Sequence, residues 1–153
     1  MSVREPLRLL ERRFTVGVSL ESAWAHLERV EQWPSWARHI RSIELSPPGP
    51  LVPDTAGVIR LTNGVRSTFR MEVIEEIECG RRWSWAGPFL GVTVHYDHRF
   101  TRLGSEQTEI VFVLDGEGFG VSVLGRLFAR IYARNLDRAI PNLIEELERG
   151  GAG

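Results

Sequence analysis

The sequence predicts an α+β domain in which a curved antiparallel sheet wraps around one long C-terminal helix. Three observations carry this. The stretch from Gly120 to Arg149 is the only long segment with a sustained helical repeat of apolar residues. The middle of the chain alternates apolar and polar residues between turn signals, as the strands of an antiparallel meander do. One face of those strands is heavily aromatic and the other charged, so a single apolar layer must cover the first.

In the C-terminal segment Leu124, Leu127, Phe128 and Ile131 recur at spacings of three and four, and at ~1.5 Å per residue the helix spans about 45 Å. Gly118 and Gly120 precede it, and Gly150 and Gly151 follow its last apolar residue, Leu147. A second apolar set, Leu136, Ile140, Leu143, Ile144 and Leu147, is rotated relative to the first, with Pro141 where the phases differ. Because an internal proline removes a backbone hydrogen bond, two packing halves are expected. Asn135 then either enters the first row as a polar group or, with Asn142, faces water.

Leu7 to Val18 reads as a first strand, with Phe14, Val16 and Val18 in alternation. Ser19 is an N-cap for a helix carrying Ala23, Trp24, Leu27 and Val30, and Trp33-Pro34-Ser35-Trp36 forms a short second helical turn whose tryptophans plug the core. Ile40 to Leu45 is a short strand, and Ser46 to Gly57 a proline-rich loop. Val58 to Leu61 and Arg66 to Ile77 pair across the Asn63-Gly64 hairpin signal. Cys79-Gly80 turns into Arg81 to Ala86, Gly87 to Gly91 form the next loop, and Val92 to Leu103 pairs with Thr108 to Leu114 across Gly104-Ser105. Alternation puts Phe69, Met71 and Val73, then Trp83 and Trp85, then Val94, Tyr96, His98 and Phe100, and finally Ile110, Phe112 and Leu114 on the aromatic face.

A chain of 153 residues with 42% apolar and 25% charged residues fits one domain over 1–153, its core about 7–149 and its ends frayed. No run is long enough for a membrane span, and the N-terminus lacks a signal-peptide layout, so a cytoplasmic location is expected. A net charge of −1 with no basic run excludes an electrostatic footprint for nucleic acid. All 19 basic residues are arginine, which excludes lysine Schiff-base and P-loop chemistry. Cys79 is alone, so no internal disulfide forms. His95 and Asp97 share one strand face and His98 takes the other, so the three do not converge on a metal, and no cofactor is implied. Homodimerisation stays open.

The order of strand, two short helices, six-stranded meander and long helix resembles the helix-grip fold of the START/Bet v 1-like superfamily, particularly its bacterial branch named for polyketide cyclases and dehydrases. The resemblance is carried by Phe14-Thr15-Val16, by Ser22 to Leu27, by Val30 to Trp36, by Thr93 to Gly104, and by Leu124 to Leu127 through Asn135-Leu136 to Asn142-Leu143. It implies an elongated cavity between helix and sheet, in members that are lipid, sterol or quinone carriers, receptors or aromatase/cyclases. Phe69, Met71, Phe112, Leu127, Phe128 and Ile131 are core by default and cavity lining if the resemblance holds, and Trp83 and Trp85 are candidates to line that cavity. Tyr96, His98 and Asn135 either orient a hydrophobic ligand such as a lipid, quinone or polyketide-like aromatic or, for His98 and Tyr96, are a satisfied core histidine and an aromatic filler. In the alternative, an aromatase/cyclase or dehydratase, His98 is the acid/base and Tyr96 stabilises an enolate. A third reading is a protein-interaction module that uses the long helix together with Phe89 and Leu90, expected together on a loop tip.

Overall fold

The computed structural model describes residues 6–118 and 120–151; the outermost residues expected to fray lie outside this range. Strand β1 (Leu7–Val16) is followed by helix α1 (Leu20–Leu27), a 3-10 segment (Val30–Ser35), strands β2 (Ile40–Ser46), β3 (Ala56–Leu61), β4 (Arg66–Ile77), β5 (Gly80–Phe89), β6 (Val92–Gly104) and β7 (Gln107–Glu117), a π-helical turn (Val121–Gly125), and helix α2 (Arg126–Gly151). The seven strands form one antiparallel sheet in the order β1-β7-β6-β5-β4-β3-β2. The expected meander is therefore present, and β1 closes it by pairing with the last strand.

Local chemistry explains the joints. The Ser19 hydroxyl accepts from the Ser22 backbone N–H at 3.1 Å, starting α1 as expected. Trp33 and Trp36 are buried, and the Trp33 indole donates to the Leu27 carbonyl at 2.8 Å, which locks the 3-10 segment under α1. Gly57 faces the Phe69 ring across the β3–β4 pair, where a Cβ would overlap that ring; this lets Phe69 lie flat and stack on Trp85 at 4.1 Å.

Two expectations about side-chain direction fail. Met71 pairs with Trp85 but Val73 pairs with Ser84, so a bulge in β4 shifts the alternation by one residue. Ile74, opposite Trp83, takes the inner position, and Val73 moves to the outer side with Ser84. The second failure concerns α2. Its buried residues are Ala129, Leu136, Ala139, Leu143 and Leu147, with Gly125 before them and Tyr132 packed alongside, a single stripe at spacings of three and four. No phase change occurs at Pro141, which is exposed. The row through Leu127 and Ile131 faces solvent, these side chains being 51% and 57% exposed. Small residues, Ala129 and Ala139, hold two of the buried positions, so the buried stripe is not the row of the largest apolar side chains.

Polar contacts fix the rotation of α2. Arg12 of β1 makes a two-pronged pair with Asp137 at 2.7 and 3.1 Å, His26 meets Glu146 at 2.8 Å, and the Gly17 backbone N–H donates to Glu148 at 2.9 Å. Asn142 donates to the Trp36 carbonyl at 3.3 Å, so it is tied to the core edge. This seating is testable by equal deletions on one helix. Leu143→Ala should lower unfolding free energy by about 2–5 kcal/mol and Leu127→Ala by less than about 0.5 kcal/mol in urea titrations. Similar losses would restore the two-phase arrangement.

Candidate functional site between the helix and the aromatic sheet face

Strand pairing brings the aromatic residues together in a ladder. Trp83 opposes His98, which opposes Phe112; Trp85 opposes Tyr96, which opposes Leu114. The His98 ring stacks on Trp83 with centroids 4.6 Å apart, and Trp33 and Phe112 approach it at 5.7 and 5.4 Å. Trp24 meets Trp83 and Phe100 edge-on at 5.0 and 5.2 Å, with the Arg81 guanidinium 4.1 Å above its ring. Under the second half of α2 this space is therefore filled by side chains: Trp83 and Phe100 have no exposed surface.

Packing is looser beside the first half of the helix. Tyr96, Phe89, Phe128 and Tyr132 are only half-buried there. Phe128 lies 4.7 Å from Phe89 and 5.7 Å from Tyr132, and Tyr132 lies 5.7 Å from Tyr96. Phe89 ends β5 and turns inward, so Leu90 alone occupies the exposed loop tip expected for both.

The structure places Phe69, Met71, Trp83, Trp85, Tyr96, His98 and Phe112 on the helix-facing side of the sheet, with Phe128 against them. Leu127 and Ile131 point away, because they stand roughly half a helical turn from the buried stripe. Asn135 is half-buried on the flank, one residue short of Leu136. Tyr132 was missed by sequence reading. It stands four residues from both Phe128 and Leu136, a signal hidden by tracing the row through Ile131 instead.

Unpaired polar groups distinguish this interior from an ordinary core. The Trp83 indole N–H is fully buried without a hydrogen-bond partner. His98 has only a long Nδ1 contact of 3.4 Å to the Trp83 carbonyl. The hydroxyls of half-buried Tyr96 and Tyr132 make no hydrogen bond among the described residues, but they are not enclosed as the indole N–H is. Buried polar groups are nearly always paired, and each one left unpaired disfavours the folded state by about 1–3 kcal/mol.

Burial sets the protonation states. Both tyrosines are pushed up from the usual 10, Tyr96 by burial and then by the neighbouring Tyr132, so they remain phenols able to donate. Burial pulls His98 down to about 4, against weaker opposing effects of the Asp97 charge and the Trp83 carbonyl. His98 is thus neutral at pH 7.

The outer sheet face is the electrostatic opposite. His95 Nδ1 lies 2.9 Å from Glu72 and its Nε2 2.8 Å from Glu117, while Arg82 bridges Glu75 and Asp97 at 2.6 and 2.8 Å. Burial lowers the His95 pKa, but the bonds to Glu72 and Glu117 outweigh it, and the net shift is upward. With His95 committed to these carboxylates and His98 behind the sheet, the two histidines cannot meet. An open hollow of about 470 Å³ also lies on this side, lined in part by Glu44, Ser46, Val58, Thr68, Arg70 and Ala86. Cys79 is exposed in its turn, while the neighbouring Arg81 and Arg82 are engaged elsewhere.

A seven-stranded antiparallel sheet packed against a long C-terminal helix over an aromatic interior is the helix-grip fold. The chain belongs to the family described as polyketide cyclase / dehydrase and lipid transport, which matches residues 9–148. Similar solved structures include the ZhuI aromatase/cyclase from Streptomyces sp. R1128, with 17% identity, TM-score 0.66, and coverage of 92% of this chain and 93% of that one. A START superfamily protein from Mycobacterium smegmatis shares 14% identity at TM-score 0.67, covering 93% and 98% of the two chains. Norcoclaurine synthase from Thalictrum flavum, in complex with dopamine and hydroxybenzaldehyde, shares 14% identity at TM-score 0.62, covering 95% of each chain. At these identities the likeness is one of fold. No curated protein matches the chain.

The histidine pair predicts a pH dependence. Because the folded-state pKa of His98 lies below the usual 6.5, the unfolded chain binds its proton more readily. Stability from this group is complete above about pH 6.5 and falls by about 3 kcal/mol as pH drops toward about 4. His95, raised, acts in the opposite sense: its contribution is present below about pH 6.5 and is lost as pH rises through its folded value. In urea titrations between pH 7 and 4.5, His98→Phe should flatten the acid loss seen in the parent protein. An unchanged slope would show that His98 does not titrate as its burial requires.

Proposed function

We propose that the protein binds an apolar small molecule carrying at least one oxygen acceptor, of the lipid, quinone or polyketide-like aromatic class, between the first half of α2 and the sheet. The observation that carries this is the pair of phenol hydroxyls, Tyr96 and Tyr132, that among the described residues have no hydrogen-bond partner and stand in an aromatic wall with ring centroids 5.7 Å apart. A carbonyl or hydroxyl oxygen would satisfy them, while Phe69, Met71, Trp85, Phe112 and Phe128 supply the apolar contact. Asn135, on the flank, could add a polar contact from the helix side. The family description, which joins cyclases and dehydrases with lipid transport, is compatible with such a ligand.

The cyclase or dehydratase alternative uses the same site and has less support. A histidine with a pKa of about 4 holds almost no proton at neutral pH, so His98 is poorly suited to act as a general acid there. Tyr96, held as a phenol, could donate to an enolate oxygen, but donation alone serves a carrier equally well.

Native mass spectrometry of the purified protein, followed by organic extraction, should reveal a bound apolar molecule. A fatty acid, a quinone and a polycyclic phenol, titrated by tryptophan fluorescence, would establish its class. Tyr96→Phe and Tyr132→Phe each keep the ring and remove the donor. Each should weaken the preferred ligand by roughly two- to tenfold while leaving folding stability unchanged or raised. An empty protein that responds to none of the three probes would reject the proposal.

A further inference from the structure

The outer side of α2 near its start carries features that neither the core nor the ligand site uses. Val123 of the π-helical turn and Leu127 and Ile131 of α2, four residues apart, form one row and are 72%, 51% and 57% exposed. Leu90, 70% exposed, belongs to the same end of the molecule, since it follows Phe89, whose ring touches Phe128. Leu90 also holds φ 48°, a left-handed conformation unfavourable for a leucine, on the turn that carries its side chain into solvent. Arg126, Arg130 and Arg134 are exposed along the same helix, interleaved with the apolar row.

Charge on this surface has one sign. No aspartate or glutamate occurs between Glu117 and Asp137, and these two acids are already held by His95 and Arg12. Among the described residues none of the three arginines has an ion-pair partner, although the whole chain has a net charge of −1.

We propose that this surface docks the protein onto an anionic lipid membrane, with Val123, Leu127, Ile131 and Leu90 entering the headgroup boundary and Arg126, Arg130 and Arg134 meeting lipid phosphates. Interleaved apolar and basic residues on an exposed helix face are the pattern of an interfacial helix. No helix among the described residues is long and apolar enough to cross a membrane, so the contact is superficial. A second copy fits the surface less well, because twofold pairing would bring arginine rows close together, and four apolar side chains fall well short of the roughly 800 Å² per partner of a stable interface. The inference does not depend on whether the interior holds a ligand.

Vesicle co-sedimentation of the full chain tests it. Binding is expected to vesicles of phosphatidylcholine containing about one third phosphatidylserine, to be much weaker to phosphatidylcholine alone, and to fall as salt rises. Substituting Arg126, Arg130 and Arg134 by Gln should reduce partitioning about fivefold for each arginine removed. Leu127→Ser with Ile131→Ser should abolish detectable binding with an unchanged circular dichroism spectrum, since both residues are exposed. Three results would overturn the proposal: no binding to either vesicle, equal binding to both that ignores the arginines, or a dimer in analytical ultracentrifugation that the Leu127→Ser/Ile131→Ser variant dissociates without any vesicle binding.

Discussion

The contact on which the rest of the structure depends is the seat of α2 on the aromatic face of the sheet. Apolar burial supplies most of its stability but has no preferred direction, so by itself it would tolerate several rotations of the helix. Direction comes from pairs at the periphery: Arg12 with Asp137, His26 with Glu146, and the Gly17 backbone with Glu148. These hold the second half of the helix closely. Its first half, entered through a π-helical turn after Gly120 in the left-handed conformation, rests on half-buried aromatic residues instead. Tight packing at one end and looser packing at the other place the proposed ligand site beside Tyr96 and Tyr132 rather than beside Trp24 and Phe100.

Strand β6 shows how the pleat separates two kinds of chemistry over a few residues. His95 and Asp97 point outward into a mesh of carboxylates and arginines, where charge is stabilised. Tyr96 and His98 point inward, where charge is opposed by burial. The same imidazole group is therefore driven upward in pKa on one face and down to about 4 on the other. The interior is therefore a neutral environment, in which a buried charge would be disfavoured.

The two ends of α2 also differ in their outward faces. Near its C-terminus the acids Glu146 and Glu148 are engaged with α1 and the end of β1, whereas near its start the arginines have no ion-pair partner among the described residues and lie among exposed leucine, isoleucine and valine side chains. The half of the helix that rests on half-buried aromatic residues thus also carries the apolar, basic surface outside. A ligand site and a membrane contact on opposite sides of one helical segment would need little movement to communicate.

Much of this architecture was legible in the sequence because period is a local property. Two-residue alternation between turn signals defined the strands from Arg66 to Leu114, and Asn63-Gly64 and Cys79-Gly80 marked turns that the chain makes. Alternation also assigned Trp83, Trp85, Tyr96, His98 and Phe112 to the inner face correctly. What the tertiary structure alone decided was phase. A bulge after Met71 exchanged Val73 for Ile74, and the seating of α2 buried Ala129 and Ala139 while leaving Leu127 and Ile131 in solvent. Hydrophobicity along a chain states how much surface must be covered; which residues cover it depends on the shape of what they meet, and that shape exists only after the distant strands have paired.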